Sequence, residues 1–554
     1  MRSRSTQTEA QSAAYAPDNG GKPVGKGELA FNVRDYGAKG DSATDETAAV
    51  QAAMNAIKVA GGGVLWFPNG EYVIHGNVIL CDNVSITGAK GAVIRKTTGS
   101  INYAVFVGLA GANLGYGGGV KNVSLTGLTF RGNLGAGVSI SAMTLHRASD
   151  VYVSNCRFLE TSQNGHVFDP LGCDNIFIER SEFRGVKLVT NRSYVEAIQL
   201  DSSVKYGFGA HDSLKAGEVF DGTATRNVTV RACTFGSITV GGIKYLAQPP
   251  LGSHSWVEGN YYTNIVFEDN DVSEVQETTA DSYPGILHFV AAKQVYIRNN
   301  RIDGSGISNH FVRTISHATG TLLADINLDA PELKPIPAYT PTSDLYVEGN
   351  EVRNCTGVQV IYMYGISGKS LTNVNIKNNT LINCQVGMGS NYIAHFAFVD
   401  GPVIAGNQSR GCGGGFVFLN NCNTSSVSNN TSDKNGWYAV TTGGTNQGIE
   451  IVNNTFKAQA QQIVLSGCTN PVVLGNRVEL TVGKSAIVIS GTPAIPGVVS
   501  VQGNTVSCTT TSTEGGIGIA AGYTKGIVLG NIALGYPSAS SQAATVNAAN
   551  NIFV

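Results

Sequence analysis

Short alternating apolar segments recur along most of the chain, each followed by a polar turn and another apolar residue. In the copy at 151–158, Val-Tyr-Val-Ser-Asn-Cys-Arg-Phe, alternate residues are apolar before the turn at Asn155. Such alternation predicts a β-strand with one buried face, and the residues after the turn predict a second short strand. Further copies begin at Ile176, Val228, Ile265, Val295, Leu345, Val374, Ile449 and Val498.

Many copies lie about 20 to 30 residues apart, a spacing typical of a solenoid. No long helical pattern separates them. The repeat therefore predicts an all-β fold, a single right-handed parallel β-helix in which each coil stacks on the next. A solenoid grows in one direction, so the length of 554 residues does not require several domains. A rigid rod of this kind suits a polymeric ligand.

One helix precedes the repeats and is expected to cap the first coil. Thr44 and Asp45 form its predicted N-cap, and residues 48–59 follow as the helix. Its predicted buried face comprises Val50, Met54 and Ile57. The predicted organisation is a flexible extension at 1–28, the cap and first coils at 29–90, and the β-helix at 91–554 with loop insertions around 187–264.

Composition argues against several classes of function. Charged residues are 14% of the chain, against about 25% in an average globular protein. The formal net charge of −2 leaves no basic surface for nucleic acid or an anionic membrane. No apolar segment has the length of a membrane span or the pattern of a signal peptide. We expect neither nucleic acid as a partner nor insertion into a membrane.

The ten cysteines are expected to be reduced and buried. They are scattered through the repeats without a CxxC or Cys/His ligand spacing, so we predict no zinc site. Reduced cysteines indicate folding in a cytoplasm. Together with the lack of a secretion signal, they favour a virion component that is released from the host by lysis.

The segment 31–90 resembles the N-terminal motif of the pectate-lyase-like superfamily, in the version found in phage tailspikes and family-28-related glycoside hydrolases. The resemblance rests on Phe-Asn-Val-Arg-Asp-Tyr-Gly-Ala-Lys-Gly-Asp at 31–41 and Gly-Gly-Gly-Val-Leu-Trp-Phe-Pro at 61–68. It implies a tailspike-like homotrimer that acts on a bacterial surface polysaccharide without a cofactor. It also implies a role in folding for the acidic and glycine residues of the cap, namely Asp35, Gly37, Asp41 and Asp45.

Candidate catalytic acids follow aligned apolar positions in neighbouring coils. Phe168 and Leu200 are expected to face the core, which turns Asp169 and Asp201 outward. Coils stack about 4.8 Å apart, so Asp169 would lie roughly 5 to 10 Å from Glu196 or Asp201. That range covers both retaining and inverting glycosidases. We predict that one of the three acids is the general acid and a second is the base or nucleophile.

Several polar and aromatic side chains near these acids are candidate substrate contacts. The segments 164–174 and 196–201 resemble the central coils of family-28-related prophage and tailspike proteins. Gly242–Tyr245 is similar to the Arg-Ile-Lys element with which polygalacturonases bind substrate carboxylate, but their Asn-Thr-Asp, Asp-Asp and Gly-His-Gly signatures are absent. The predicted contacts are His146, His166, Gln199, Lys244, Tyr245, His254, Trp256 and His288. The loop residues Tyr206, Tyr261 and Tyr262 either stack on sugars or seal a subunit contact.

Three functions stay open at this stage. The first is glycoside hydrolysis, and the second is β-elimination or C5 epimerisation of a uronate glycan. The second would need a charge neutraliser, which is Lys244, an Arg or Ca²⁺, and a His or Tyr base. The third is a spike that binds glycan without cutting it. After residue 360 we expect no chemistry, and we assign the Asn pairs 378–379, 429–430 and 453–454 to satisfying turn backbones.

Overall fold

Three long parallel sheets confirm the predicted right-handed parallel β-helix. The structure is a computed structural model. It describes residues 29–97, 104–161, 166–187, 196–205, 207–208, 212–253, 255, 257, 259–276, 285–305, 310–314, 342–355, 359–384, 391–433, 438–459, 463–491, 497–510, 512–520, 523, 525–537, 540–541 and 547–553. The predicted extension at 1–28 lies outside these residues, and the predicted domain boundaries stay predictions.

Sheet A contains 19 strands, one or occasionally two per coil. They are Ala30–Asn32, Gly63–Phe67, Val84–Gly88, Lys121–Thr126, Ser149–Ser154, Asp174–Glu179, Arg226–Arg231, Tyr262–Glu268, Ala292–Arg298, Ser343–Glu348, Leu371–Lys377, Val399–Asp400, Val403–Ala405, Ser426–Ser428, Glu450–Val452, Val472–Leu474, Val498–Gln502, Lys525–Leu529 and Asn547–Ala549.

Sheet B contains 18 strands. They are Asp41–Asp45, Gly70–Val73, Ala92–Arg95, Thr129–Arg131, Arg157–Leu159, Glu182–Arg184, Thr234–Gly236, Asp271–Ser273, Arg301–Asp303, Glu351–Arg353, Thr380–Ile382, Gln408–Arg410, Thr431–Asp433, Thr455–Gln459, Arg477–Leu480, Thr505–Cys508, Ile532–Leu534 and Ile552–Phe553.

Sheet C contains 16 strands. They are Val78–Ile79, Ala104–Gly108, Ser141–His146, Phe168–Leu171, Ile198–Leu200, Leu251–Ser253, Gly285–Phe289, His310–Thr314, Ile361–Tyr364, Tyr392–Ala397, Gly415–Asn420, Val440–Gly443, Ile463–Ser466, Ile487–Ser490, Ile517–Ile519 and Ser540–Ser541. Two small pairs complete the strands, Ile238–Val240 with Ile243–Tyr245 and Asn446–Gln447 with Cys468–Thr469.

The corner between sheets A and B is a tight turn closed by a ladder of buried asparagines. Asn350 is typical: its Oδ1 accepts from the backbone N–H of Asn300 at 3.0 Å, and its Nδ2 donates to Asn379 Oδ1 at 2.9 Å. The residue before Asn379 is Asn378, which has the left-handed φ of 55° that Asn tolerates. The predicted structural role of the Asn pairs is confirmed.

The longest connections lie instead on the two sides of sheet C. Residues 185–197 and 237–250 connect sheet B to sheet C, and residues 201–225 and 315–341 connect sheet C back to sheet A. Long connections are where solenoid proteins place binding function. The outer face of sheet C is therefore the candidate functional surface.

The N-terminal cap is the helix Thr47–Ala60, whose buried residues include Val50, Met54 and Ile57 as predicted. The predicted N-cap is wrong by one residue, because Glu46 occupies that position and its carboxylate accepts from the N–H groups of Lys39 and Gly40. The other helices are the 3₁₀ turns Val33–Tyr36 and Leu134–Ala136 and the short helix Asp212–Lys215.

Nine of the ten cysteines are buried and none forms a disulfide, in agreement with the sequence analysis. Across the described ranges, no helix combines the length and the apolar character needed to cross a bilayer.

Candidate active site on sheet C

Five neighbouring coils place one residue each in a row on the outer face of sheet C. Thr144 pairs with Asp169, Gln199 pairs with Gly252, and Gly252 pairs with His288. The adjoining pairing of Phe168–Leu171 with Ile198–Leu200 aligns Asp169 with Gln199. The residues on either side of Gln199 belong to the core, so the row faces outward. The structure therefore places Asp169 on the predicted face, 8% exposed.

Glu196 lies just before the next strand and is held by two histidines. Its Oε1 lies 3.0 Å from Nε2 of His288, and its Oε2 lies 3.8 Å from Nδ1 of His166. His166 Nδ1 also donates to the backbone carbonyl of Glu196 at 2.7 Å. All three side chains are largely buried. The structure thus brings together three residues that the sequence analysis singled out separately.

The contact between His288 and Glu196 depends on the glycine in the row. A Cβ at Gly252 would lie 2.4 Å from Cε1, 2.7 Å from Nε2 and 2.9 Å from Nδ1 of the His288 ring. The His288 imidazole therefore packs directly against the backbone of Gly252 and extends toward the coil that contains Gln199 and Glu196. Asp169 and Glu196 belong to adjacent coils, which stack about 4.8 Å apart, and Glu196 lies three positions before Gln199, the residue that aligns with Asp169.

Asp201 shares the outer face but is completely buried. Its Oδ2 accepts from Gln199 Nε2 at 2.7 Å, and Gly207 packs against the carboxylate. Burial raises the pKa of the neighbouring Tyr262 hydroxyl above its usual range, and the Asp201 charge adds to the effect. These contacts suit a residue that orients Gln199. The fully buried Tyr262 does not fit its predicted role in stacking on a sugar, because it is not accessible.

His146 lies in a sealed polar cluster and not on the open surface. Its Nε2 is 2.7 Å from Ser203 Oγ and its Nδ1 hydrogen-bonds Glu218, while its ring stacks on Phe220. Burial lowers the pKa of His146, which keeps the imidazole neutral. The arrangement resembles a Ser-His-Glu relay, but His146 and Ser203 are 0% exposed. The predicted contact of His146 with substrate is therefore not what the structure shows.

A second charged pair, Arg147 and Asp221, lies at 3.0 Å beside this cluster. Glu218 accepts from the backbone N–H groups of Ala110 and Gly111, more than 100 residues earlier in the chain. The cluster fastens the 212–225 segment to the coils below it.

Lys244 and Tyr245 lie on a hairpin away from the outer row. Lys244 forms an ion pair with Glu274, and both side chains are well exposed. This pairing does not fit the predicted contact with substrate, since Lys244 neutralises another side chain. The predicted contacts His254 and Trp256, and the loop residue Tyr206, lie outside the described residues.

Sequence reasoning missed several residues of this surface. Gly252 has no side chain that could suggest a function, and its role becomes apparent only from the His288 ring that packs over its backbone. Arg313, Tyr362 and His395 continue the row in register after His288. Each follows an apolar residue one position earlier, the same signal that identified His288, but the long connection at 315–341 disguises the repeat spacing.

No group of three or more His, Cys, Asp and Glu side chains with the arrangement of a metal site is found in the part of the chain that the structure describes. The Ca²⁺ considered for a lyase stays a prediction.

Comparison with known proteins agrees with this architecture. Residues 30–244 match the model of the family described as "Rhamnogalacturonase A/epimerase, pectate lyase-like". The structure of PfbA, a surface adhesin of Streptococcus pneumoniae, superposes with a TM-score of 0.57 and 20% identity, covering 80% of this chain and 93% of that chain. Residues 30–244 are therefore similar to this pectate-lyase-like family, and the superposition shows a shared parallel β-helix fold.

Curated relatives match only in part. Alginate lyase 7 of Azotobacter vinelandii is 46% identical over 68 residues, which are 11% of this chain and 8% of the lyase. Mannuronan C5-epimerase AlgE3 of the same organism is 38% identical over 111 residues, 19% of this chain and 6% of the epimerase. Plasmin and fibronectin-binding protein A of S. pneumoniae is 25% identical over 302 residues, 50% of this chain and 39% of that protein. The chain thus spans well under half the length of these relatives. The family match and the partial matches to the lyase and the epimerase support a carbohydrate-active or carbohydrate-binding protein.

Proposed function

We propose that the protein is a polysaccharide depolymerase that hydrolyses glycosidic bonds with Asp169 and Glu196. The observation that supports this most directly is the pair of carboxylates from successive coils on the outer face of sheet C, one of them held by His166 and His288. Adjacent coils are about 4.8 Å apart, so carboxylates from neighbouring coils can reach the separations that glycosidases use. The long parallel face suits an extended polymer.

The surroundings of the two acids favour different roles. The Nε2 of His288 lies 3.0 Å from Oε1 of Glu196, and a positively charged imidazole at that distance stabilises a negative charge on the carboxylate. Glu196 therefore serves as the base that activates water, or as the nucleophile. Asp169 then delivers the proton to the leaving glycosidic oxygen. Gln199 lies in the intervening coil and donates to Asp201, and its amide is assigned to binding a substrate hydroxyl.

The test is digestion of a panel of bacterial surface polysaccharides with mass analysis of the products. Asp169→Asn and Glu196→Gln are each expected to lower the rate about 100-fold or more, the usual contribution of acid-base catalysis. Asp201→Asn should have a smaller effect, because its role is to position Gln199. Asp271→Asn and Glu450→Gln, exposed acids on sheets B and A, are matched controls. Full activity of both Asp169→Asn and Glu196→Gln would refute the assignment.

A second candidate is β-elimination or C5 epimerisation of a uronate glycan. The family description names an epimerase, and the curated relatives include an alginate lyase and mannuronan C5-epimerases. Here the neutraliser would be Arg313, which pairs in register with His288, rather than Lys244. Elimination yields an unsaturated uronate that absorbs in the ultraviolet, and epimerisation leaves the polymer length unchanged but alters its composition.

The proposed setting is a tailspike-like homotrimer acting on the surface of a bacterium. Light scattering of the purified protein tests the trimer. A protein that binds polysaccharide but alters neither its length nor its composition would instead be a non-catalytic spike.

A further inference from the structure

The outer row of sheet C continues past the candidate catalytic residues with a cation and three rings. Arg313 pairs with His288, Tyr362 with Arg313, His395 with Tyr362, and Phe418 with His395. These four residues, Arg313, Tyr362, His395 and Phe418, are here called the distal strip. Each is half-buried, so one face of every side chain is open. The strip covers three coil steps, about 14 Å.

The rings form a continuous surface and not isolated side chains. The centroids of Tyr362 and His395 are 5.1 Å apart, and those of His395 and Phe418 are 4.8 Å apart. Two flanking rings support them from the strand ends: His310 stacks on Tyr362 at 5.3 Å, and Tyr392 stacks on Phe418 at 4.9 Å. Both supporting rings are buried. The outer rings are therefore held in place before any ligand binds.

The chemistry of the strip matches that of a sugar chain. Aromatic faces pack against the apolar C–H faces of pyranose rings, while polar tips meet hydroxyl groups. The Arg313 guanidinium, 5.3 Å from the Tyr362 centroid, supplies a fork of donors for hydroxyl or carboxylate oxygens.

His395 is the polar group at the centre of the strip. Burial lowers the pKa of His395 to about 4, so at neutral pH the imidazole is uncharged and has one donor and one acceptor. Neither ring nitrogen has a hydrogen-bond partner among the described residues. Both nitrogens are shielded from solvent, so the exposed part of His395 adds to the apolar aromatic surface of the strip.

We propose that the distal strip is an accessory glycan-binding site that holds the polysaccharide beyond the bond being cut. The inference rests on the proposed function, since it assigns the strip to the same polymer. The strip is continuous in register with Asp169 and His288. A chain lying along the rod would contact both regions at once.

The protein also provides a matched control on a different face. On sheet A, Tyr296 stacks on Tyr346 at 5.0 Å, with Arg298 5.2 Å from the Tyr296 centroid. This group also combines stacked rings with an arginine, but it lies on a different sheet from the candidate site. Tyr296→Ala therefore removes an equivalent exposed ring without touching the proposed strip.

The experiment measures binding and cleavage separately in the full chain. Binding is read as retardation in native gels that contain alginate, polygalacturonate, hyaluronan or dextran, and cleavage is read as polymer size. The variants are Tyr362→Ala and Phe418→Leu, the latter retaining apolar volume but no flat ring, and Tyr296→Ala is the control. Thermal unfolding confirms that each variant is folded.

Substitutions in the strip are expected to weaken retardation by the polysaccharide about tenfold. They should also raise the KM for polymer, while kcat/KM for short oligosaccharides stays within about twofold of that of the unaltered protein. Tyr296→Ala should change neither. Three results would each refute the proposed binding site. The strip variants could be retarded as strongly as the unaltered protein, or they could lose the same factor in kcat/KM on long and on short substrates. The unaltered protein could also show no retardation in any of the gels. Retardation without any change in polymer would refute the proposed hydrolysis and leave the strip standing.

Discussion

A single added methyl group at Gly252 is expected to disable the candidate site while leaving the fold intact. The new Cβ of Gly252→Ala would lie 2.4 to 2.9 Å from three atoms of the His288 ring. Real contacts of this kind do not occur, so the ring must move away from Glu196, from which it is now 3.0 Å distant. The backbone at Gly252 lies outside the left-handed region, so alanine adds no backbone strain there.

The loss of activity can be worked from that displaced contact. A close contact between a buried carboxylate and an imidazole is expected to contribute about 1.5 to 3 kcal/mol, the range for interactions with a charged group, which corresponds to a loss of roughly 10- to 150-fold in kcat/KM. The assay is the initial rate of depolymerisation across substrate concentrations, with thermal unfolding as the check on folding. His288→Ala should lose a similar factor, and combining it with Gly252→Ala should add little, because both remove one interaction.

Gly217→Ala is the control, since a Cβ there has no atom within 4 Å. If Gly252→Ala retains normal kcat/KM while His288→Ala does not, the ring does not act through its contact with Glu196. If both variants are fully active, neither the contact nor the assignment of Glu196 is correct.

Two predictions concern the stability of the rod. Asn379→Ala removes the side chain that bonds the buried N–H of Asn350 and the carbonyl of Val347. The loss should lower the free energy of unfolding by about 2 to 5 kcal/mol. An unchanged midpoint of urea unfolding, or an equal loss of stability in the exposed-site control Asn423→Ala, would contradict this prediction. Burial lowers the pKa of Lys96 to about 8. Between pH 8 and the ordinary value of 10.5 the unfolded chain binds more protons than the folded one, so stability rises with pH in that window. Lys96→Met should abolish the rise and stabilise the protein at pH 7, and urea denaturation at pH 7, 8.5 and 10 measures both effects.

The candidate site could be predicted only in part from the sequence. Alternation along a strand is a local property, so the outward direction of Asp169 follows from an inward Phe168. Which outward residues remain accessible depends on distant segments. Asp201 and His146 have the same local pattern as Asp169, yet the 203–225 segment covers them.

The succession of coils, and the asparagine turn between sheets A and B in each of them, could be predicted from short stretches of sequence. Apolar alternation, the Asn pairs and the amphipathic helix each satisfy requirements that neighbouring residues impose, namely one buried face per strand and one partner for each turn amide. These features can be read from the sequence because every coil repeats them.

The functional surface was decided by contacts between coils. His288 reaches Glu196, 92 positions earlier in the chain, because stacking places it two coils away and Gly252 leaves space between them. The distal strip likewise exists only after four strands with unequal connections are brought into register. Connection lengths vary freely in a solenoid, since each coil is constrained only by its neighbours. Sequence distance therefore carries no information about which side chains meet, and the stacked structure alone determines it.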